Sequence, residues 1–195
     1  MGICKKECED VDHFCYFPKT TGLDKKIRIL LISESMPKNK KDYYDAKGEP
    51  LFLKNTNLVF NKAGRNFITY ADYLENGIYL TTAIKCRKQG YLVKAKTIEY
   101  CSYILENEIA GFVNLKVVLL MGDFAIKAVN YIWKRKTGKR IIPSGSTYKI
   151  RNGVFQHEGI RFLPSYTQTG ESFGLEKSKV TMIEEDVKTA LTLIG

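Results

Sequence analysis

Apolar residues along this chain fall into short continuous runs separated by stretches with helical spacing. Residues 27–33 (IRILLIS), 78–84 (IYLTTAI) and 116–121 (KVVLLM) are nearly unbroken apolar or β-branched runs. That is the pattern of strands buried on both faces of a parallel sheet. Residues 160–163 (IRFL) form a fourth run, and 148–155 lies beside it across turn residues. Helical spacing is predicted over 63–74, closed by Gly77, and over 97–109, where Thr97 caps a face of Ile98, Cys101, Ile104 and Leu105. Gly122 turns the chain into a helix over 123–134, with Asp123 near its positive end. Val180, Ile183, Val187, Ala190 and Leu191 mark a last helix over 179–194. Strands alternating with helices predict an α/β domain, a three-layer αβα sandwich around a four-stranded, mainly parallel sheet. Residues 34–57, with Tyr43, Tyr44, Gly48 and Pro50, read as a long polar loop, a kind of segment that usually carries function. Residues 1–26 hold three cysteines and no clear period, and are expected to pack on the domain.

A length of 195 residues suits one domain spanning 1–195. The net charge of +10 changes the picture more. An excess of this size favours a polyanionic partner such as nucleic acid, bound by phosphate neutralisation and counterion release. The plainer reading is a basic, solvated surface. No apolar run approaches the ~18 residues of a membrane span, and residues 1–10 lack the apolar core of a signal peptide. A cytoplasmic protein is therefore expected, with no membrane partner. In that compartment Cys4, Cys8, Cys15, Cys86 and Cys101 are expected free or metal-bound rather than disulfide-bonded. No Gly-x-Gly-x-x-Gly follows a strand and no phosphate-binding loop of the Gly-Lys-Ser/Thr type is present, which argues against a nucleotide-dependent enzyme of small molecules. Ligands of open α/β sheets bind outside the carboxyl ends of the strands, here 33–37, 82–86, 122–123 and 164–169.

Those four strand ends, read in order, resemble one superfamily. Ser33-Glu34-Ser35-Met36-Pro37 resembles the Gly-Glu-Ala-Pro-Gly motif of the iron–sulfur (family 4) uracil-DNA glycosylases. The segment from Tyr79 through Lys85-Cys86-Arg87 is similar to their Tyr-Ile-Thr-Asn-Val-Val-Lys-Cys-Arg, and 116–125 to their Lys-Val-Ile-Val-x-Leu-Gly-x-x-Ala. Pro164-Ser165-Tyr166-Thr167 sits where that family has Pro-Thr-Tyr-His. The resemblance spans nearly the whole chain. It implies a uracil-DNA glycosylase-like fold and excision of uracil or another deaminated base from damaged or single-stranded DNA, by a monomer that would be nucleoid-associated in a prokaryote. It also implies a 4Fe–4S cluster on Cys4, Cys8, Cys86 and Cys101. Zinc on the same thiolates is the alternative. The first pair is spaced Cys-x-x-x-Cys rather than the family's Cys-x-x-Cys, so Cys15 is open as a replacement for Cys4 or Cys8.

The resemblance carries residue roles as well. Glu34 matches the motif glutamate and is the catalytic candidate, a carboxylate to orient water or support developing oxocarbenium charge. Phe52, in a segment similar to Gly-x-Pro-Phe with one residue added, would stack on the flipped base. Ser33, Ser35 and Thr82 would line the base site, and Thr82 stands where the family has an asparagine. Thr167 stands at the family's catalytic histidine, the second catalytic position. Loss of such a donor typically costs ~10²–10³ in rate. Lys62, Arg65, Ser165 and Gln168 are the expected DNA contacts. The two threonines also admit a second reading, a catalytically inactive nucleic-acid-binding or damage-sensing protein on the same fold.

Overall fold

The computed structural model describes Cys4 and residues 6–15, 22–170 and 173–195. Its centre is a single six-stranded sheet in the order β1-β3-β2-β4-β6-β5. The strands are β1 (Val11–Cys15), β2 (Ile29–Met36), β3 (Ile78–Lys88), β4 (Val117–Met121), β5 (Phe155–His157) and β6 (Ile160–Ser165). The four inner strands β3, β2, β4 and β6 run parallel, as their apolar runs imply. The expectation of four strands is corrected by two antiparallel edges. β1, from the cysteine-rich start, pairs with β3, and β5 pairs with β6. The β5–β6 hairpin turns on Glu158 and Gly159, both with positive φ, the backbone a two-residue hairpin requires.

Alternation along the inner strands divides the interior into two cores. Leu30, Ile32, Val118, Leu120 and Phe162 face one layer, while Ile29, Leu31, Val117, Leu119 and Leu163 face the other. Side chains of successive strand residues point to opposite faces, so an unbroken apolar run needs cover on both. The first layer is α3 (Ala95–Ala110) and α4 (Asp123–Thr137), through Ile98, Leu105, Val129 and Trp133. The second is α1 (Leu51–Lys62), α2 (Tyr70–Glu75) and α6 (Lys177–Thr192), through Phe60, Tyr73, Ile183 and Val187. A four-residue α5 (Thr147–Ile150) precedes the hairpin.

Of the helix predicted over 63–74 only the last part is helical, as α2, and α1 lies wholly before that range. Phe52, Leu53, Thr56, Val59 and Phe60 are the buried face of α1, so residues 51–57 of the expected loop are helix. A capping box between Thr69 and Asp72 then starts α2. No helix among the described residues is long and apolar enough to cross a membrane.

Candidate functional site

The strand order positions the site. From β2 the chain moves outward to β3, then crosses over to β4 on the other side. Connections therefore diverge at the carboxyl ends of β2 and β4, the crevice where open α/β sheets bind ligands. Glu34 is at the end of β2 and Gly122 at the end of β4. The Glu34 carboxylate meets the first turn of α4, where Oε1 accepts from the Phe124 backbone N–H at 3.4 Å. The contact exists because residue 122 has no side chain. A Cβ there would lie 2.7 Å from Glu34 Cγ, and its φ of +103° is one that L side chains rarely adopt.

Burial pushes the Glu34 carboxyl above its ordinary value, against the Phe124 N–H and the Lys88 charge, which lower it. Among the described residues no salt bridge reaches this carboxylate. Its environment is thus partial burial and a helix N-terminus, and the balance raises the carboxyl pKa.

Ser33, one residue earlier, points to the opposite face and enters a buried hydroxyl network. Its Oγ hydrogen-bonds the Tyr44 hydroxyl. The Gln168 side-chain amide reaches Ser33 Oγ at 3.1 Å, Tyr44 Oη at 3.2 Å and Thr56 Oγ1 at 3.3 Å. Phe52 packs at the head of α1 against Tyr44, ring centroids 5.6 Å apart. Ser35 is buried two residues beyond Ser33. Thr82 lies in register beside Ser33, but its hydroxyl donates to the Ile84 carbonyl at 2.9 Å. Thr167 is exposed and hydrogen-bonds Thr169 at 3.2 Å.

The structure thus brings together Ser33, Phe52 and Gln168 on one face of the carboxyl edge and Glu34 on the other. It does not bring Thr82 or Thr167 to Glu34 through any hydrogen bond.

Two of the expected DNA contacts are withdrawn from solvent. Gln168 is fully buried in the hydroxyl network, and Ser165 is fully buried with its Oγ donating to Asp186 at 2.5 Å. Asp186 also pairs with Arg151 at 2.7 Å. Both residues anchor the β6–α6 loop rather than facing solvent. Lys62 and Arg65 are exposed, but α1 lies on the path that returns the chain from the carboxyl end of β2 to the amino end of the parallel strand β3. The 12 residues of α1 carry Lys62 ~18 Å from the helix start, toward the amino edge of the sheet. Lys134, Arg135 and Lys136 lie in the last turn of α4, and Lys139 and Arg140 follow it.

Of the Gln168 partners, Tyr44 lies in the loop that the sequence marks out, while Thr56 is on α1, a helix that the sequence pattern hides. Lys38 and Lys40 were missed although they follow a strand directly. They line an open groove of 690 Å³ with Met36, Pro37, Asn39 and Arg87.

The cysteines gather at the β1–β3 edge. Antiparallel register sets Cys15 opposite Cys86, Cα atoms 4.2 Å apart, and the two form a disulfide. That corrects the expectation of free or metal-bound thiols for this pair. Cys8 and Cys101 are buried in the adjoining core, and Cys4 is half-buried. Burial pushes the Cys101 thiol up to about 11, with Cys4 and Cys8 near enough to add to the shift. Among the described residues, no group of three or more His, Cys, Asp or Glu side chains is arranged to hold a metal ion.

No protein-family model matches this chain, and no curated protein matches it in sequence.

Proposed function

We propose that this protein is a DNA glycosylase of the uracil-DNA glycosylase type, which flips uracil or another deaminated base from DNA and hydrolyses its N-glycosidic bond. One observation carries the reading. Glu34 is a half-buried carboxylate with raised pKa and, among the described residues, no salt bridge, set against a helix N-terminus at the switch point of the sheet. In hydrolysis, water adds to the anomeric carbon as the base departs with the bonding pair. Glu34 accepts the water proton or stabilises the oxocarbenium charge. The uracil-DNA glycosylase-like form of the fold, the monomeric state and the cytoplasmic location belong to the same proposal.

The cluster fits less well. A 4Fe–4S cluster or zinc on Cys4, Cys8, Cys86 and Cys101 needs four thiolates, and Cys86 is bonded to Cys15. We route no step through a metal. Iron, sulfide and zinc analysis of the reduced protein tests that part separately.

The reading is tested by incubating the protein with single-stranded and duplex oligonucleotides containing uracil, hypoxanthine or xanthine. Abasic sites are then cleaved with alkali. Cleavage by wild type and not by Glu34→Ala is expected. Equal cleavage by both would remove Glu34 from the chemistry. The second reading, a binding protein without hydrolysis, is favoured by Thr82 and Thr167, whose hydroxyls are engaged away from Glu34. No cleavage on any substrate, with salt-sensitive DNA binding intact, would select it.

A further inference from the structure

The groove beyond Glu34 has a chemistry of its own. Met36 and Pro37 begin its wall two residues after Glu34, and Lys38 and Lys40 continue it. Arg87, from the end of β3, closes the other side. Arg87 is held rather than loose. Its Nε donates to Asp12 at 2.5 Å, and its Nη1 donates to the Lys38 carbonyl at 2.9 Å. The guanidinium thereby ties the ends of β2 and β3 together and fixes the backbone that carries the lysines. Asn39 fixes it further, its side chain accepting from the Lys41 N–H at 3.2 Å as the cap of a short 3₁₀ turn, Lys40–Asp42.

The geometry points to this groove as the seat of a nucleic-acid strand's phosphodiester backbone, with Lys38 and Lys40 as the phosphate contacts. The inference rests on the DNA reading above and adds which surface meets the strand. Three features support it. Two lysines and an arginine line the groove, with Asp12 the carboxylate paired to the arginine. The walls are apolar at Met36 and Pro37, which suits sugar rings between phosphates. The volume is that of a small-ligand cleft, so it takes a short length of one strand rather than the body of a duplex. By contrast, the exposed cations at Lys62 and Arg65 follow the end of α1, on the path that leads away from the carboxyl end of β2 to the start of β3.

The test compares two double variants that remove the same charge from opposite edges, Lys38→Ala/Lys40→Ala and Lys62→Ala/Arg65→Ala. Binding of the full chain to a fluorescein-labelled, undamaged single-stranded oligonucleotide is measured against salt. Each lost phosphate contact lowers the slope of log K against log salt by about 0.7 for a single strand. The groove variant should lose about 1.4 in slope and most of its affinity at low salt, while the far-edge variant binds within twofold of wild type. Equal losses in both variants would reduce the effect to net charge and overturn the assignment. A loss confined to the far-edge variant, or wild type without salt-dependent binding, would overturn it as well. The readout needs no excision. A protein that binds through the groove and cleaves nothing would defeat the glycosylase reading and leave this one standing.

Discussion

Two glutamates, both on the α3–α4 side of the sheet, keep different company. Glu108, on α3, is buried with Lys85 from β3 at 2.7 Å, and the Thr81 hydroxyl donates to the same oxygen at 3.1 Å. Both members of that pair are almost wholly withdrawn from water, with side chains 0% and 2% exposed. Glu34 is only half-buried and meets backbone N–H groups and the Lys88 charge rather than a salt-bridge partner. A buried carboxylate with its own cation is fastened in place by the pair. A buried carboxylate without one stays poised between protonation states. The first arrangement fastens a helix to a sheet, although Glu108 Oε1 finds no hydrogen-bond partner in the fold. The second is what a proton-handling site requires.

The sharpest way to break this contrast is to remove both carboxyls in turn. Glu34→Gln should lower excision by ~10²–10⁴-fold, the usual range for a general acid or base, while melting no earlier than wild type. A lower melting temperature with full excision would reverse the roles. Lys85→Met strands Glu108 in the core and should cost about 3–5 kcal/mol in denaturant unfolding. Lys85→Met with Glu108→Leu should recover most of that loss, since an apolar pair of similar volume replaces a buried ion pair at little cost. Failure of the second substitution to rescue the first would show that the pair is not the unit of stability.

Gly122→Ala sharpens the contrast at the Glu34 end. It forces an unfavourable φ and a clash with the carboxylate, so about 1–3 kcal/mol of destabilisation is expected. Excision should fall with it as Glu34 is displaced. An alanine variant as stable and active as wild type would show that the close approach is dispensable.

The smallest expected effect is in pH. Burial raises the Glu34 pKa, so the folded protein keeps this proton to higher pH than the unfolded chain does. The stability this contributes is greatest below the ordinary glutamate value of 4.5 and is lost as pH rises through the folded value. Relative to wild type, Glu34→Gln should therefore gain in melting temperature as pH rises above 4.5 and level off beyond the folded value. A difference that stays flat across that window would mean that Glu34 titrates as an exposed carboxyl.

Much of the frame was legible along the chain. The runs at 27–33, 78–84 and 116–121 correspond to β2, β3 and β4, shifted by a few residues at their ends. Continuous burial of β-branched and aliphatic residues has few other outcomes. The helix at 123–134 was legible for the same reason, from Gly122 and the spacing of Phe124, Ala128 and Trp133. α1 was not, because Gly48 and Pro50 stand before it and Lys54, Asn55 and Asn57 break its apolar face. Only packing against β2 and α6 makes that face a core. β1 was hidden similarly, since an edge strand beside cysteines has no repeating pattern to show.

At the site, the sequence alone placed Glu34 and Gly122 at strand ends, because a residue's distance from the last apolar position is a local property, whereas β3 continues past Thr82 to Lys88. Alternation by two then decided what a linear reading leaves open. Ser33 and Glu34 are neighbours in sequence and face opposite layers, so one joins Tyr44 and Gln168 while the other meets α4. Which cations stand near Glu34 was likewise a tertiary matter. Parallel strands need a return path between them, and α1 lies on the one that leads Lys62 and Arg65 away from the carboxyl end of β2. Lys38, Lys40 and Arg87 stay beside the carboxyl ends that hold them. Charge composition is a sum over the chain, while a binding surface is a selection from it, and only the path of the backbone makes that selection.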